Sequence, residues 1–353
     1  MSTEQVVELS GVPGSPYTRK MLALLRYRRI PYRLYPNTRY QADIDPLREK
    51  QRPKPKVHLL PTFYFEDDAG LEAALCDSTP ITRKLELDHQ GREVIPPSAL
   101  GFLNYLIEDY ADEWLTKAMF HYRWSYPADI AKAGQMLPRW NNTDGDEALL
   151  NAKAASTSEL QISRLKYVGS TPETKQTIEN SFKRLITILD SLLKQQPFVL
   201  GKRPSSADFA LYGQFTALAL FDPTPSGIVL EKAPRLYAWT ETLEDLSGYE
   251  PLNGDWLDLS KDSSRIEPLL TEIGRIYEPY LIANAAAVSQ GQQQFECMLD
   301  GALWQQNSFS YQAKCLQWIR EEFAALDEKD QSFIQALAKQ TGFAQLLVAK
   351  QDH

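Results

Sequence analysis

The sequence predicts an α/β domain at the N-terminus, followed by an all-α domain. Strand and helix patterns alternate over residues 1–95 in the order β-α-β-α-β-β-α, whereas helical patterns dominate from residue 99 onward. The paired prolines in "REVIPPSAL" mark the change of pattern. A chain of 353 residues also exceeds what one compact core usually serves. We therefore expect two domains, residues 1–95 and residues 99–353, the second with an extended tail from about residue 258.

The N-terminal elements follow from local patterns. "VVELS" predicts a short strand, and "SPYTRKMLALLRYRR" predicts a helix with Tyr17, Met21 and Leu24 on one apolar stripe. "IPYRLYP" predicts a second strand, and "ADIDPLREKQ" predicts a second helix. "PTFYFEDDAGLEAAL" is typical of a hairpin with Gly70 in its turn, and "CDSTPITRKLELDHQ" of a further helix. The hairpin would complete a four-stranded sheet that begins with a parallel βαβ unit.

Amphipathic patterns predict the helices of the second domain. Three of them are "ALGFLNYLIEDYADEWLTKAMF", "TPETKQTIENSFKRLITILDSLLKQ" and "SSADFALYGQFTALALF". The last is the most apolar, and Ser205 and Asp208 at its start have the spacing of a capping box. After a loop over residues 247–257, we expect a helical tail that runs to the last residue.

Composition argues against several classes of protein. The formal net charge of −8 argues against nucleic-acid binding, which depends on Lys and Arg at the phosphates. No apolar run approaches the ~20 residues needed to cross a bilayer, and "MSTEQVVELS" lacks the features of a signal peptide. The cysteines form no CxxC pair, and the histidines lack the spacing of metal ligands. We therefore expect a cytoplasmic protein that binds no membrane, no nucleic acid and no metal.

The stretch "GVPGSPYTRKM" places a serine directly before the first predicted helix. Ser15 is a good N-cap, because its hydroxyl can accept a hydrogen bond from a backbone N–H one turn ahead. Pro16 suits the first helical position, where a missing N–H costs nothing. Capping alone accounts for this pair of residues. The same hydroxyl would also lie at the positive end of the helix dipole, where an anion is favoured.

Four stretches, in this order, resemble motifs of the cytosolic glutathione S-transferase family: "SPYTRKM", "LLPTFYF", "DSTPITRKLE" and "GKRPSSADFALYG". They are similar to the family's Ser/Cys-Pro-aromatic helix start, its cis-proline strand start, its Glu/Asp-Ser helix start and its buried capping-box helix. The resemblance spans Val6 to about Leu246 and is to a bacterial, serine-type member with an extended C-terminal domain. It implies a thioredoxin-like N-terminal domain, an all-α C-terminal domain and commonly a homodimer, which the added tail could prevent.

The resemblance also implies roles for the motif residues. Ser15 would be the catalytic residue that stabilises the thiolate of glutathione, which is the co-substrate. Pro61 would be cis and would turn the backbone of Leu60 to pair with the cysteinyl unit, the alternative being an ordinary trans proline at a strand start. Asp77 would pair with the γ-glutamyl ammonium, and Ser78 with the helix N-terminus would hold the γ-glutamyl carboxylate.

The second substrate would be a small apolar electrophile, and the activity a detoxifying transfer. In the family the helix corresponding to "DYADEWLTKAMFHYRW" borders the acceptor pocket, so the resemblance makes Tyr110, Trp114 and His121 pocket residues. Tyr17 joins them and is also the second candidate for the thiol partner. The alternative for all of these residues is ordinary packing in the core or between the domains.

Two departures separate the chain from the family pattern. Leu59 stands where the family commonly has a lysine, for which His58, Lys56 or Arg39 could substitute. The tail after residue 258 matches no motif. Both features favour the alternative hypothesis of a catalytically silent member of the family that serves as a binding or scaffold protein.

Two further residues leave alternatives open. Cys76 directly precedes Asp77, so a thiol reductase that uses Cys76 is a third hypothesis, although a buried cysteine at a strand end is more common. Arg123 is expected to pair with Asp112 or Glu113, or to hold an anionic ligand.

Overall fold

The computed structural model describes residues 6–36, 44–45, 50–66, 70, 72–141, 143, 145–252 and 254–348. The elements of its N-terminal domain are β1 Val7–Gly11, α1 Pro16–Arg28, β2 Tyr32–Pro36, β3 Ile44–Asp45, β4 Lys50–Gln51, β5 Thr62–Glu66, β6 Glu72–Leu75 and α2 Ser78–Asp88. Helix α1 begins as predicted, with Ser15 as its N-cap, and it ends at Arg28, followed by the C-cap Arg29 in the left-handed conformation with φ 55°.

Strands β2, β1, β5 and β6 form one sheet, in that order. β1 and β2 are parallel with α1 between them in the chain, and β5 runs antiparallel to both of its neighbours. Leu9 of β1 and Phe63 of β5 are fully buried, and so are Met21 and Leu25 of α1, which belong to the same apolar core. The predicted four-stranded sheet is therefore confirmed, and the domain is thioredoxin-like.

One predicted element is wrong. The pattern of "ADIDPLREKQ" predicts a helix, but the two described pieces of this stretch, β3 and β4, pair as antiparallel strands. Asp45 directly precedes Pro46, and the residue before a proline is disfavoured in the α region, because the proline Cδ clashes with its backbone. Over the described residues the order is β-α-β-β-β-β-β-α, and the fold class is unchanged.

The second domain is mostly helical. Its α-helices are α3 Ser98–Tyr110, α4 Thr116–Ser125, α5 Pro127–Asn141, α6 Glu147–Ser163, α7 Lys175–Leu192, α8 Ser206–Phe215, α9 Pro223–Lys232, α10 Pro234–Thr242, α11 Leu259–Asp262, α12 Glu267–Glu272, α13 Glu278–Ser289, α14 Ser310–Ala324 and α15 Glu328–Thr341. Its π-helical turns are Ala111–Leu115, Thr216–Phe221 and Ile273–Tyr277, and its 3₁₀ turns are Leu165–Val168, Ser263–Arg265 and Ala344–Leu347. Of the helices described, none is both long enough and apolar enough to pass through a bilayer.

Helix α8 packs directly on α1 and joins the two domains. Every residue of α8 is buried, as its apolar sequence predicts. At Gly213 the helices approach so closely that a Cβ would lie 2.6 Å from the carbonyl oxygen of Pro16, which only glycine permits. The predicted capping box is confirmed, with Ser205 and Asp208 each accepting from the other's backbone N–H. The N-terminal end of α1 is thus held against the helical domain.

The tail after residue 258 is not helical throughout, which corrects the all-α expectation. Strands β7 Gln294–Leu299 and β8 Ala302–Asn307 form an antiparallel hairpin. Asp300 and Gly301 connect them with φ of 54° and 78°. An Asp-Gly pair suits such a hairpin, because both central residues of a type I′ turn need positive φ. Trp304 of β8 is fully buried, with its ring 5.3 Å from that of Trp114, so the tail completes the core.

Candidate functional site

One edge of the N-terminal sheet brings the predicted motif residues together. Ser10 of β1 pairs with Thr62 of β5, and Phe63 of β5 pairs with Leu75 of β6. The C-terminal end of β1, the start of β5 and the C-terminal end of β6 therefore lie side by side. The segments attached to these three ends carry Ser15, the pair Leu60 and Pro61, and the pair Asp77 and Ser78.

Ser15 caps α1 and also reaches the neighbouring segment. Its hydroxyl oxygen accepts a hydrogen bond from the backbone N–H of Thr18 at 3.2 Å, as a cap should. The hydroxyl donates to the carbonyl oxygen of Leu60 at 3.3 Å. Ser15 is half-buried, so the hydroxyl lies between the helix N-terminus and the cis-proline turn with one side accessible.

The peptide bond between Leu60 and Pro61 is cis, which confirms this prediction. Leu59 is 54% exposed, and His58 and Lys56, the predicted substitutes for the missing lysine, are also exposed. The third predicted substitute, Arg39, lies outside the described residues. In its described part, therefore, this loop has no lysine at the predicted position, but Lys54, Lys56 and His58 are exposed basic side chains nearby.

Asp77 caps α2 in a strained conformation. Its φ is +91°, which is uncommon for a residue other than glycine and is often found at functional sites. Its Oδ1 accepts from the backbone N–H of Thr79 at 3.4 Å. Its Oδ2 accepts from the hydroxyl of Tyr311 at 2.7 Å. Tyr311 belongs to α14, so the C-terminal tail reaches the predicted site.

Ser78 is buried and receives a hydrogen bond that the sequence did not predict. The ammonium of Lys20 on α1 donates to the Ser78 hydroxyl oxygen at 3.0 Å. The same ammonium lies 2.7 Å from Glu108 and 2.6 Å from Asp112. Burial alone would lower the pKa of Lys20, but the two carboxylates outweigh burial and raise it. A permanent positive charge therefore lies directly behind the start of α2, although no local pattern marks Lys20 as buried.

The two carboxylates that pair with Lys20 have pKa values shifted in opposite directions. Burial raises the pKa of Asp112 to about 6 in spite of Lys20. Burial also favours the neutral form of Glu108, but Lys20 lowers the pKa of this group below its ordinary value. Glu108 is further held by hydrogen bonds from the hydroxyls of Thr79 and Ser206. This network ties α2 to the helical domain.

A second buried polar row on the same helical stretch faces the tail. Tyr277 donates to Asp109 at 2.5 Å, and Gln312 donates to Glu113 at 2.9 Å. Burial raises the pKa of Asp109 to about 7 and that of Glu113 to about 8. Burial also lowers the pKa of Lys117 to about 7. These contacts hold the tail against the helical stretch that carries Asp109 and Glu113.

The predicted acceptor-pocket residues do not line an open cleft. Tyr110, Trp114 and His121 are buried, at 0%, 3% and 1% exposure. Tyr110 packs against Tyr277, and Trp114 packs against aromatic rings of the tail. The tail therefore fills the space beside this helix, in line with the alternative of a packed face.

The polar groups of His121 and of Tyr17, the fourth predicted pocket residue, have hydrogen-bond partners within the protein. His121 has Ser170 at 2.7 Å from Nδ1 and Glu179 at 3.3 Å from Nε2, and burial lowers its pKa. Tyr17 is half-buried, and its hydroxyl donates to the carbonyl oxygen of Asp112 at 2.8 Å. The Tyr17 hydroxyl therefore donates its proton to Asp112 in this structure and not toward a thiol site.

A different apolar face borders Ser15. The ring of Trp140 on α5 covers Gly14 so closely that a Cβ there would overlap it. Phe221 packs on Trp140 with ring centroids 5.0 Å apart, and both rings are half-buried. The side chains of Arg123 and Lys132 lie over the Phe221 ring at 5.2 and 4.6 Å. No local sequence pattern predicts that Trp140 and Phe221 lie beside Ser15, because only the tertiary fold brings α5 next to Gly14.

Arg123 anchors the loop that carries Ser15. It pairs with Asp222 through contacts of 3.0 Å and donates to the carbonyl oxygen of Gly14 at 3.3 Å. The expected pairing with Asp112 or Glu113 is therefore wrong, because Lys20 already holds Asp112 and Glu113 faces the tail. Arg123 is buried by this arrangement.

Cys76 is half-buried, and its thiol donates to the carbonyl oxygen of Val57 at 3.3 Å. Burial and the charge of Asp77 raise the pKa of Cys76. A raised pKa keeps the sulfur protonated, which is unfavourable for a redox nucleophile. Within the described ranges, no group of three or more histidine, cysteine or acidic side chains has the geometry to hold a metal ion.

Two family models match this chain. The model described as glutathione S-transferase, N-terminal domain, matches residues 9–93, which include every motif residue from Ser15 to Ser78. The model described as glutathione S-transferase, C-terminal domain, matches residues 172–242, which include α8. A comparison with curated proteins gives no match.

The chain is also similar to solved structures of glutathione transferases. One from Methylobacterium radiotolerans, in complex with glutathione sulfonate, is 18% identical with a TM-score of 0.38, over 72% of this chain and 100% of that chain. One from Pseudomonas fluorescens, with two glutathione bound, is 13% identical with a TM-score of 0.39, over 69% and 95%. One from Pseudomonas putida, with one glutathione disulfide per subunit, is 12% identical with a TM-score of 0.37, over 70% and 94%.

Proposed function

Because this chain belongs to the glutathione S-transferase family, as matches to both of its domain models show, we propose that it binds glutathione and activates the glutathione thiol for attack on an apolar electrophile. The observation that carries the proposal is the position of the Ser15 hydroxyl, at the N-terminus of α1 and 3.3 Å from the carbonyl oxygen of Leu60. A thiol bound at this edge would meet a hydroxyl donor and a helix dipole together.

The hydrogen bond between Ser15 and Leu60 is the one that glutathione would replace. The carbonyl of Leu60 would accept from the N–H of the cysteinyl unit, and the released Ser15 hydroxyl would rotate to donate to the sulfur. A free thiol has a pKa near ~8.5, so most of it is protonated at neutral pH. Lowering that pKa by one unit takes about 1.4 kcal/mol, which one hydrogen bond to a charged group can supply.

The residues at the N-terminus of α2 suit the γ-glutamyl end of glutathione, which carries an ammonium and a carboxylate. The Asp77 carboxylate would pair with the γ-glutamyl ammonium. The Ser78 hydroxyl oxygen accepts from Lys20 at 3.0 Å, so the Ser78 hydroxyl can donate its own proton to a ligand. The γ-glutamyl carboxylate would receive this proton, and the dipole of α2 and the charge of Lys20 would add to the attraction.

The electrophile would lie on the face formed by Gly14, Trp140 and Phe221, rather than beside Tyr110 and Trp114. This face is aromatic, half-buried and one residue from Ser15, with the cations of Arg123 and Lys132 at its Phe221 side. The thiolate sulfur would form a bond to an electrophilic carbon of the bound molecule. The electron pair would leave with a leaving group or move onto a neighbouring atom that is then protonated from water.

A catalytically silent binding or scaffold protein is the second candidate function. The observation that favours it is Leu59, exposed at the position where a basic side chain is expected to assist glutathione binding. The cytoplasmic location, the detoxifying role and the homodimer belong to the first proposal. The tail packs on α2 through an ion pair of 2.7 Å between Arg83 and Glu322, so the proposed homodimer would form through faces that the tail leaves open.

Calorimetric titration of the full chain with glutathione tests the proposal. We expect saturable binding at millimolar concentration or below, and turnover of a halodinitrobenzene that depends on glutathione. Binding without turnover would favour the silent protein. Absence of binding at several millimolar glutathione would overturn both the site and the activity.

A further inference from the structure

The tail contributes a residue to the site, and this inference rests on the proposed function. Tyr311 lies in the first turn of α14 and donates to Asp77 at 2.7 Å, across 234 residues of sequence. Its ring packs against Trp318 at 5.8 Å and against Phe309 at 6.2 Å. No part of the proposed thiol chemistry uses these residues.

Helix α14 is fixed on both sides of Tyr311. Leu316 and Ile319 of this helix are buried in the core. Before Tyr311, the backbone N–H of Phe309 donates to Asn284 at 2.8 Å, and after it Gln312 donates to Glu113 at 2.9 Å. The backbone of Tyr311 therefore cannot leave the site unless buried apolar side chains become exposed. The segment of α14 around Tyr311 is therefore a rigid part of the site and not a mobile lid.

The contact leaves Asp77 able to bind a cation. A carboxylate has about four acceptor positions, and the described contacts use one from Thr79 and one from Tyr311. The Tyr311 hydroxyl pins the carboxylate in one orientation, while the positive φ of Asp77 fixes its backbone. The remaining acceptor positions are then presented to a ligand at the start of α2.

We propose that Tyr311 is a positioning and specificity residue of the glutathione site. Its hydroxyl orients Asp77 toward the free ammonium of a γ-glutamyl peptide, and its ring closes the space beyond that ammonium. The ligand class is therefore a γ-glutamyl peptide with an unmodified amine. A peptide whose amine carries an acyl group loses the charge that Asp77 recognises and meets the Tyr311 ring.

The test compares glutathione with N-acetylglutathione by calorimetry in the wild type and in Y311F. Y311F keeps the ring and removes the hydroxyl, so we expect the Kd of glutathione to rise about 5- to 10-fold, because the Asp77 carboxylate must then be ordered when the ligand binds. The Kd of N-acetylglutathione should stay weak and unchanged. The KM for glutathione should rise with kcat retained, because Tyr311 is remote from the thiol. Tyr167, which is 58% exposed, supplies the control variant Y167F.

D77N provides the second variant. It keeps an acceptor for Tyr311 but removes the charge, so it should strongly reduce the preference for glutathione over N-acetylglutathione, and Y311F should add little in the D77N background. Equal or tighter glutathione binding by Y311F, in a wild type that does bind glutathione, overturns this inference alone. If the wild type does not bind glutathione, the proposed function fails and this inference fails with it. If Y311F does not fold, retention of the preference in D77N still overturns the inference.

Discussion

The hydroxyl of Ser15 donates a hydrogen bond of 3.3 Å to the carbonyl oxygen of Leu60, across the turn that holds the cis peptide bond. The Ser15 side chain thereby connects the N-terminus of α1 to the segment that precedes β5. We propose that a bound cysteinyl unit would replace this bond, with its N–H donating to the carbonyl and its sulfur accepting from the hydroxyl.

Ser15→Ala should lower glutathione turnover by about 10-fold or more at neutral pH, the effect of one hydrogen bond to a charged group. The loss should shrink above the pKa of the free thiol, because the thiolate then forms without help. Ser15→Asp keeps the cap of α1 but places a carboxylate beside the sulfur, so its turnover should fall further. A pH–rate profile measures both effects, with Ser156→Ala on the exposed face of α6 as the control. A loss that does not change with pH would remove Ser15 from thiol activation.

Lys20→Met should destabilise the fold by about 3–5 kcal/mol at pH 8, because it leaves Glu108 and Asp112 buried without a cation. At pH 5 the penalty should be smaller, since the unpaired carboxyls take up protons. Urea unfolding at the two pH values measures the difference. Lys194→Met removes an exposed lysine and should have little effect at either pH. An equal penalty at both pH values would contradict the ion-pair explanation.

Glu113→Gln should become more stable than the wild type as the pH rises. Burial raises the pKa of Glu113 to about 8, whereas the unfolded chain should titrate near ~4.3. The folded wild type holds a proton that the unfolded chain releases in this window, so its stability falls as pH rises from about 4 to about 8. The amide has no proton to release.

Unfolding of wild type and Glu113→Gln across this pH range checks the sign. We expect similar stability at pH 4 and an advantage of up to about 5 kcal/mol for the variant at pH 9, because the pKa differs between ~4.3 and about 8 and each pKa unit is worth about 1.4 kcal/mol. Glu159→Gln on the exposed surface of α6 is the control. A difference that is constant with pH would show that the carboxyl of Glu113 is not held neutral in the fold.

Trp140→Ala should raise the KM for the apolar electrophile while leaving the Kd of glutathione nearly unchanged. The Trp140 ring covers Gly14, one residue before Ser15, but it contacts neither Leu60 nor Asp77 among the described interactions. Steady-state kinetics with two electrophiles of different size, together with calorimetry, separates the two effects. Weaker glutathione binding with an unchanged electrophile KM would place the electrophile elsewhere.

Local sequence patterns were sufficient to predict where several helices of this protein begin and how they are capped. Ser15 and Pro16 start a helix by their own chemistry, Asp77 caps the next helix, and Ser205 and Asp208 form a capping box. These features depend on residues a few positions apart, so they can be derived from a short stretch. The helix predicted around Pro46 is absent from the described residues because the proline disfavours the helical conformation of Asp45, and Ile44–Asp45 pairs as a strand instead.

Only the tertiary structure decided which residues surround the site. Lys20 looks like one cation in a basic helix start, yet it is buried because Glu108, 88 residues away, and Asp112 meet it between the domains. Tyr311 reaches Asp77 across 234 residues, and Trp140 reaches Gly14 through the packing of α5. Burial of a charge or a ring depends on the free energy of its whole surroundings, and those surroundings come from segments that no local pattern connects.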